Sequence, residues 1–156
     1  MSIALSLEDY MVRQGIHYDV VTHSQTRSSL ATAEAAHIPG DSLAKAVILE
    51  DDDGYLMAVV PATHHIRLGK LRRQLQRTLR LATEHDLMQL FGDCALGAVP
   101  PLGTIYGLPT LVDDALAERA DLYLEAGDHL ELLHLDGSEF GILYADVQHG
   151  SFSRHL

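Results

Sequence analysis

Two apolar runs, Ala44 to Leu49 and Tyr55 to Val60, flank Asp51-Asp52-Asp53-Gly54, and strand formers around such turn formers predict a β-hairpin. Both runs are apolar at nearly every position, not at alternate ones, so the pattern places them mid-sheet with both faces buried. Upstream, Ser6-Leu7-Glu8-Asp9 reads as a helix start capped by Ser6, with Gly15 placed to end that helix. Residues 17 to 23 are rich in β-formers and predict a strand. Ser28 or Ser29 then caps an alanine-rich helix to about His37, where Pro39-Gly40 stops it.

Beyond the hairpin, Leu68, Leu71 and Leu75 keep helical spacing, which predicts an amphipathic helix over 67–76. A short strand follows at 78–82, and Thr83 with Asp86 fits a capping box for a helix to Leu90. Phe91 to Pro109 holds too many glycines and prolines for a regular element; its centre, Gly97-Ala98-Val99-Pro100-Pro101-Leu102-Gly103, predicts a stiff loop. Such a loop can turn backbone N–H groups outward to a ligand, or can simply connect strands. A strand at 110–112 and a short helix from Asp113 or Asp114 come next. Asp121 to Glu125 and His129 to Leu135, joined by Ala126-Gly127-Asp128, predict a second hairpin. Asp136 fits a cap for a last helix to about Tyr144, and 148–156 reads as a frayed tail. Strands and helices without strict alternation predict an α+β fold: one domain over 1–156, with a mixed, mostly antiparallel central sheet surrounded by helices.

Charge and composition narrow the chemistry. The 156 residues suit one self-sufficient core. One cysteine, Cys94, excludes an internal disulfide, and no Cys/His spacing resembles a structural zinc site. No signal peptide and no apolar run long enough to span a bilayer is evident, so the expected setting is cytoplasmic, without a membrane partner. A formal net charge of -11 argues against a broad nucleic-acid grip. Yet six of the eleven Lys and Arg residues (Arg67, Lys70, Arg72, Arg73, Arg77, Arg80) fall together with no acid before Glu84. That run is either a solvated helix face or a phosphate-contacting stripe.

Lys45 is the anomaly of the central hairpin, because it shares a strand face with Val47 and Leu49 where an ammonium is costly to desolvate. It is either a strand-entry lysine that snorkels to solvent or a functional cation. Other chemistries have weaker claims. No nucleophile elbow, phosphate-binding glycine-lysine loop or dinucleotide fingerprint occurs. His64 and His65 are adjacent and would diverge on a strand, as would His129 and His134, so metal ligation is not expected.

Lys45, the loop from Gly97 to Gly103, and Gly127-Asp128-His129 occur together in this order, and in them the chain resembles the YbaK family of aminoacyl-tRNA deacylases. That family is related to the editing insertion of bacterial prolyl-tRNA synthetase. The shared stretches are Ala44-Lys45-Ala46-Val47-Ile48, Phe91-Gly92, the loop itself, Leu111-Val112-Asp113 and Ala126-Gly127-Asp128-His129. The resemblance implies a pocket that receives the 3′ acceptor end of a mischarged tRNA and hydrolyses its aminoacyl ester without metal or cofactor. It implies a small amino acid such as alanine or cysteine, on tRNA for proline. Carried over, Lys45 is the catalytic lysine. Gly97, Ala98, Val99, Pro100 and Pro101 hold the aminoacyl group, and His129 shapes its pocket. Arg67, Lys70, Arg72, Arg73 and Arg77 would then contact acceptor-stem phosphates, and an aminoacyl-tRNA synthetase could supply further affinity. Two features depart from the family: Ala46 stands where relatives often have threonine or asparagine, and the chain is strongly acidic. They keep two alternatives open, a non-catalytic tRNA- or protein-binding regulatory module of the same fold, and a hydrolase of other small acyl esters.

Overall fold

The central hairpin forms as its pattern predicts. In the computed structural model, which describes residues 4–95 and 98–156, β2 (Leu43–Asp51) and β3 (Gly54–Pro61) pair antiparallel with Lys45 opposite Val60. They lie inside the sheet because both faces are apolar: Ala44, Ile48, Met57 and Val59 pack into one core, and Leu49, Leu56, Ala58 and Val60 into another. The other strands are β1 (Asp19–Thr22), β4 (His64–Ile66), β5 (Arg80–Leu81), β6 (Thr110–Asp113), β7 (Asp121–Glu125), β8 (Glu131–Asp136), β9 (Gln148–Gly150) and β10 (Ser153–His155). Among the described residues the main sheet runs β1-β8-β7-β2-β3-β6-β9, with β5 also pairing to β2, and β10 with β4 forms a second, two-stranded sheet. Pairs β2/β7, β3/β6 and β6/β9 are parallel and the rest antiparallel, so this is an α+β domain with a mixed sheet.

The helices are α1 (Leu5–Gln14), α2 (Ser29–Ala35), α3 (Leu68–Leu75), α4 (Glu84–Leu90) and α5 (Phe140–Leu143). Gly15 ends α1 in the left-handed conformation at φ 66, a backbone state open to glycine at little cost. Ser28 caps α2, and Thr83 with Asp86 forms the capping box of α4. Ser6 does not cap α1. Ala4 occupies that position, and the Ser6 hydroxyl instead donates to Asp93 Oδ2 at 2.7 Å, joining α1 to the loop after α4.

The C-terminal tail is ordered where the pattern predicts fraying. Phe152 is fully buried beneath α3, with β9 and β10 on either side of it. The buried Asp113 carboxylate accepts from Phe152 N–H (3.0 Å), Ser153 N–H (3.0 Å) and the Ser153 hydroxyl (2.9 Å). A carboxylate 40 residues away satisfies those backbone donors, so local sequence gave no sign of it.

One interruption in the sheet positions the site. On one edge β2 bonds β7 at Leu43 and Ala44, and β5 at Leu49 and Glu50. The Ala82 N–H adds a bond to Ile48 O at 3.0 Å. Among the described residues, positions 45–47 have no partner strand on that side, which leaves a gap between β7 and β5.

Candidate functional site

Lys45 lies at this gap and is half-buried. Among the described residues it forms no salt bridge, and desolvation holds its pKa below the usual lysine value. It lines two cavities. The larger, about 270 Å³ and mostly apolar, is walled by Val47, His65, Ile66, Leu68 and Leu81, on the α3 side of the sheet. The smaller, about 90 Å³ and more enclosed, is lined by Lys45 with Ser29, Ala46, Ile48, Leu87, Val99 and Glu125. A recess of about 20 Å³ shares Leu87 and Val99 with it and is lined further by Met88, Phe91, Cys94 and Ala95.

The glycine-proline loop forms one wall. Gly97 lies outside the described residues; Ala98, Val99, Pro100 and Pro101 are all buried. Tyr144 donates its hydroxyl to Pro101 O at 2.8 Å, and the Ala95 N–H donates to Gly127 O at 2.6 Å, so neighbouring elements hold the loop from both ends. Its donors are mostly spent: Ala98 N–H bonds Ala95 O, Leu102 N–H bonds Pro100 O, and the two prolines have none. Among the described residues the Val99 N–H of this loop meets no acceptor, and Val99 lines the small cavity.

The remaining predicted residues divide. His129 is buried at φ 59, one residue past Asp128, whose carboxylate accepts from Leu130 and Glu131 N–H groups at 2.9 Å each. His129 lines neither cavity of Lys45. On α3, Arg67 and Arg73 are exposed and Lys70 is half-buried. The exposed Arg72 spends its Nε on Leu79 O at 2.8 Å. Arg77 is committed elsewhere: it donates through Nε and a terminal nitrogen to both Asp51 oxygens at 2.6 Å, holding that carboxyl down to about 2. A phosphate contact by Arg77 would have to displace that pair.

Cys94 is held in its thiol form. Its sulfur lies 3.2 Å from Asp93 Oδ1 and 3.1 Å from the Tyr106 hydroxyl, and burial pushes the thiol up to about 12. Among the described residues no group of three His, Cys, Asp or Glu side chains is arranged to hold a metal ion. No described helix is long and apolar enough to cross a membrane.

Glu125 is the site residue that the pattern did not mark. A glutamate at a strand end before an Ala-Gly-Asp turn reads as solvated, yet it is 1 % exposed and neither oxygen meets a hydrogen-bond donor in bonding geometry. Burial, with the Asp128 charge adding to it, raises its pKa to about 7, while the nearby Thr32 and Ser29 hydroxyls pull the other way.

The model of the aminoacyl-tRNA editing domain family matches residues 23–140. No curated protein matches the chain. Among solved structures, a candidate trans-editing enzyme for prolyl-tRNA synthetase superposes with TM-score 0.82 at 24 % identity, covering 97 % of this chain and 96 % of that one. A hypothetical protein superposes with TM-score 0.82 at 20 % identity, over 96 % and 99 % of the two chains. A candidate signal transduction protein from Marinobacter aquaeolei VT8 gives TM-score 0.76 at 23 % identity, over 96 % of this chain but 30 % of the longer one.

Proposed function

The chain belongs to the aminoacyl-tRNA editing domain family, and on that premise we propose that it hydrolyses the ester of a mischarged aminoacyl-tRNA carrying a small amino acid such as alanine or cysteine, on tRNA for proline. The observation that carries this reading is the position of Lys45, a half-buried cation without a salt bridge between a small enclosed cavity and a larger apolar one. The aminoacyl group fits the small cavity and the terminal adenosine the larger, which brings the ester between them to Lys45.

An aminoacyl ester is already activated, so the protein must place a water, stabilise the oxyanion and refuse larger side chains. The Lys45 ammonium and the Val99 N–H, both of which line the small cavity, are the donors we assign to the oxyanion. Water adds to the carbonyl to give the tetrahedral oxyanion, whose collapse breaks the ester bond. The ribose oxygen leaves as a hydroxyl with the proton the water gave up, and the amino acid is released. We assign no protein nucleophile, metal or cofactor to these steps. Size selection by a pocket is worth only about 1–3 kcal/mol per methylene, which suits a checkpoint that acts after a synthetase. The exposed arginines of α3 border the larger cavity through Leu68 and would meet acceptor-stem phosphates.

The test is hydrolysis of a panel of mischarged tRNAs, beginning with alanyl- and cysteinyl-tRNA for proline, by wild type and Lys45→Ala. Turnover that vanishes in a folded Lys45→Ala variant is expected, and full activity in that variant would sink the assignment. A second reading, a non-catalytic regulatory module, draws on Ala46, which offers no side-chain hydroxyl or amide at the cavity wall. Binding of charged and uncharged tRNA with no turnover across the panel would decide for it.

A further inference from the structure

Deacylation as described leaves one group unused. Glu125 is almost completely buried, lines the small cavity together with Lys45, Leu87 and Val99, and has both carboxylate oxygens without a donor in bonding geometry. A buried carboxylate in that condition is costly to keep, and a neutral or apolar residue would pack there without penalty. The surrounding polar groups do not answer it. The Thr32 hydroxyl is engaged with that of Thr26 at 2.5 Å, and the Ser29 hydroxyl lies near without a hydrogen bond in good geometry. Asp128 repels the Glu125 carboxylate, and among the described residues no cation pairs with it. What the cavity lacks is a small cation with several N–H donors.

Resting on the deacylase reading, we propose that Glu125 binds the α-ammonium of the aminoacyl group and so makes the site selective for esters of free amino acids over N-acylated or simple acyl esters. An ammonium carries three donors and one positive charge, which matches two donor-free oxygens and one negative charge. With the ammonium on Glu125, the ester carbonyl two bonds away turns toward Lys45 and Val99. The small side chain then points into the recess beside Phe91 and Ala95. Glu125 in this role is a specificity residue and does not exchange a proton with the scissile bond.

The test uses two non-hydrolysable adenosines, one carrying an alanylamino group at the ribose 3′ position and one its desamino counterpart, a propionylamino group, titrated calorimetrically into wild type and Glu125→Gln. Wild type should bind the amino compound at least about tenfold tighter, the equivalent of one charge-assisted hydrogen bond, and Glu125→Gln should bring the two within about twofold. Equal binding by wild type, no binding of either compound, or a preference that survives Glu125→Gln would each overturn the proposal. The wild-type comparison requires no variant to fold. Because the titration involves no turnover, it separates the two ideas: preference for the amino compound without hydrolysis of any mischarged tRNA would remove the deacylase and leave the ammonium site standing.

Discussion

Glu125 also makes a prediction about stability that needs no ligand. Its folded-state pKa of about 7 lies above the ordinary 4.5, chiefly because burial strips water from the carboxylate. Between those values the folded chain holds a proton that the unfolded chain has released, so stability falls as pH rises through the window and levels off above it. At about 1.4 kcal/mol per pH unit, the interval amounts to roughly 3 kcal/mol by pH 8. Glu125→Gln keeps the shape and removes the titration. The Asp128 charge from the following turn contributes to the raised value, and that contribution disappears with the titration in Glu125→Gln. Urea denaturation of both proteins at pH 4.5 and pH 8 should show the variant gaining roughly 3 kcal/mol on wild type between the two conditions. A difference that stays constant with pH would refute the claim that Glu125 is buried without partners.

Two further outcomes follow from the surface and the tail. Charge reversal at Arg72 and Arg73 should weaken tRNA binding and flatten its dependence on salt, whereas Arg77→Ala should leave the slope unchanged because Asp51 already neutralises Arg77. Asp51 should titrate above its present value of about 2 in that variant, while the Asp53 N–H it still accepts keeps it below the ordinary 3.8, which an NMR titration would read directly. Phe152→Ala empties a fully buried site shared with Leu71 and Leu79, and should cost about 3–5 kcal/mol in denaturant unfolding. A loss below about 1 kcal/mol would restore the frayed tail.

The hairpins, the capping box at Thr83 and the helix of Leu68, Leu71 and Leu75 were legible because their causes are local: apolar runs, helical spacing, turn residues and side-chain caps lie within a few residues of what they determine. Lys45 was legible for the opposite reason, as a charge in a strand whose neighbours are all apolar. What escaped is long-range. Ser6 reads as a cap until its hydroxyl meets Asp93, and the tail reads as frayed until the Asp113 carboxylate receives its N–H groups. Glu125 escaped because a strand-end acid looks solvated unless α2 and the loop at Val99 are known to cover it. The gap in the sheet could not be foreseen at all, since it arises from two partners that each stop pairing with β2 at a different residue.

That gap explains how a cation and an acid persist in a largely apolar setting. A continuous sheet would cover residues 45–47 and force Lys45 wholly into the core, where an unpaired ammonium would be lost to deprotonation or unfolding. With β7 and β5 drawn apart, Lys45 stays half-exposed while lining a small, more enclosed cavity. Glu125, at the end of the strand that departs, lines the same cavity. Lys45 and Glu125 in salt-bridge contact would satisfy each other and leave neither for a ligand; among the described residues neither is so paired, and burial disfavours the charged form of each until a ligand of opposite charge arrives. Such an arrangement lowers stability, and its concentration at one cavity whose loop is held by Tyr144 and Gly127 is what a preorganised site for a dipolar ligand requires. A ligand that is positive at its amine and becomes negative at its carbonyl oxygen during reaction satisfies both ends at once, as an aminoacyl ester does.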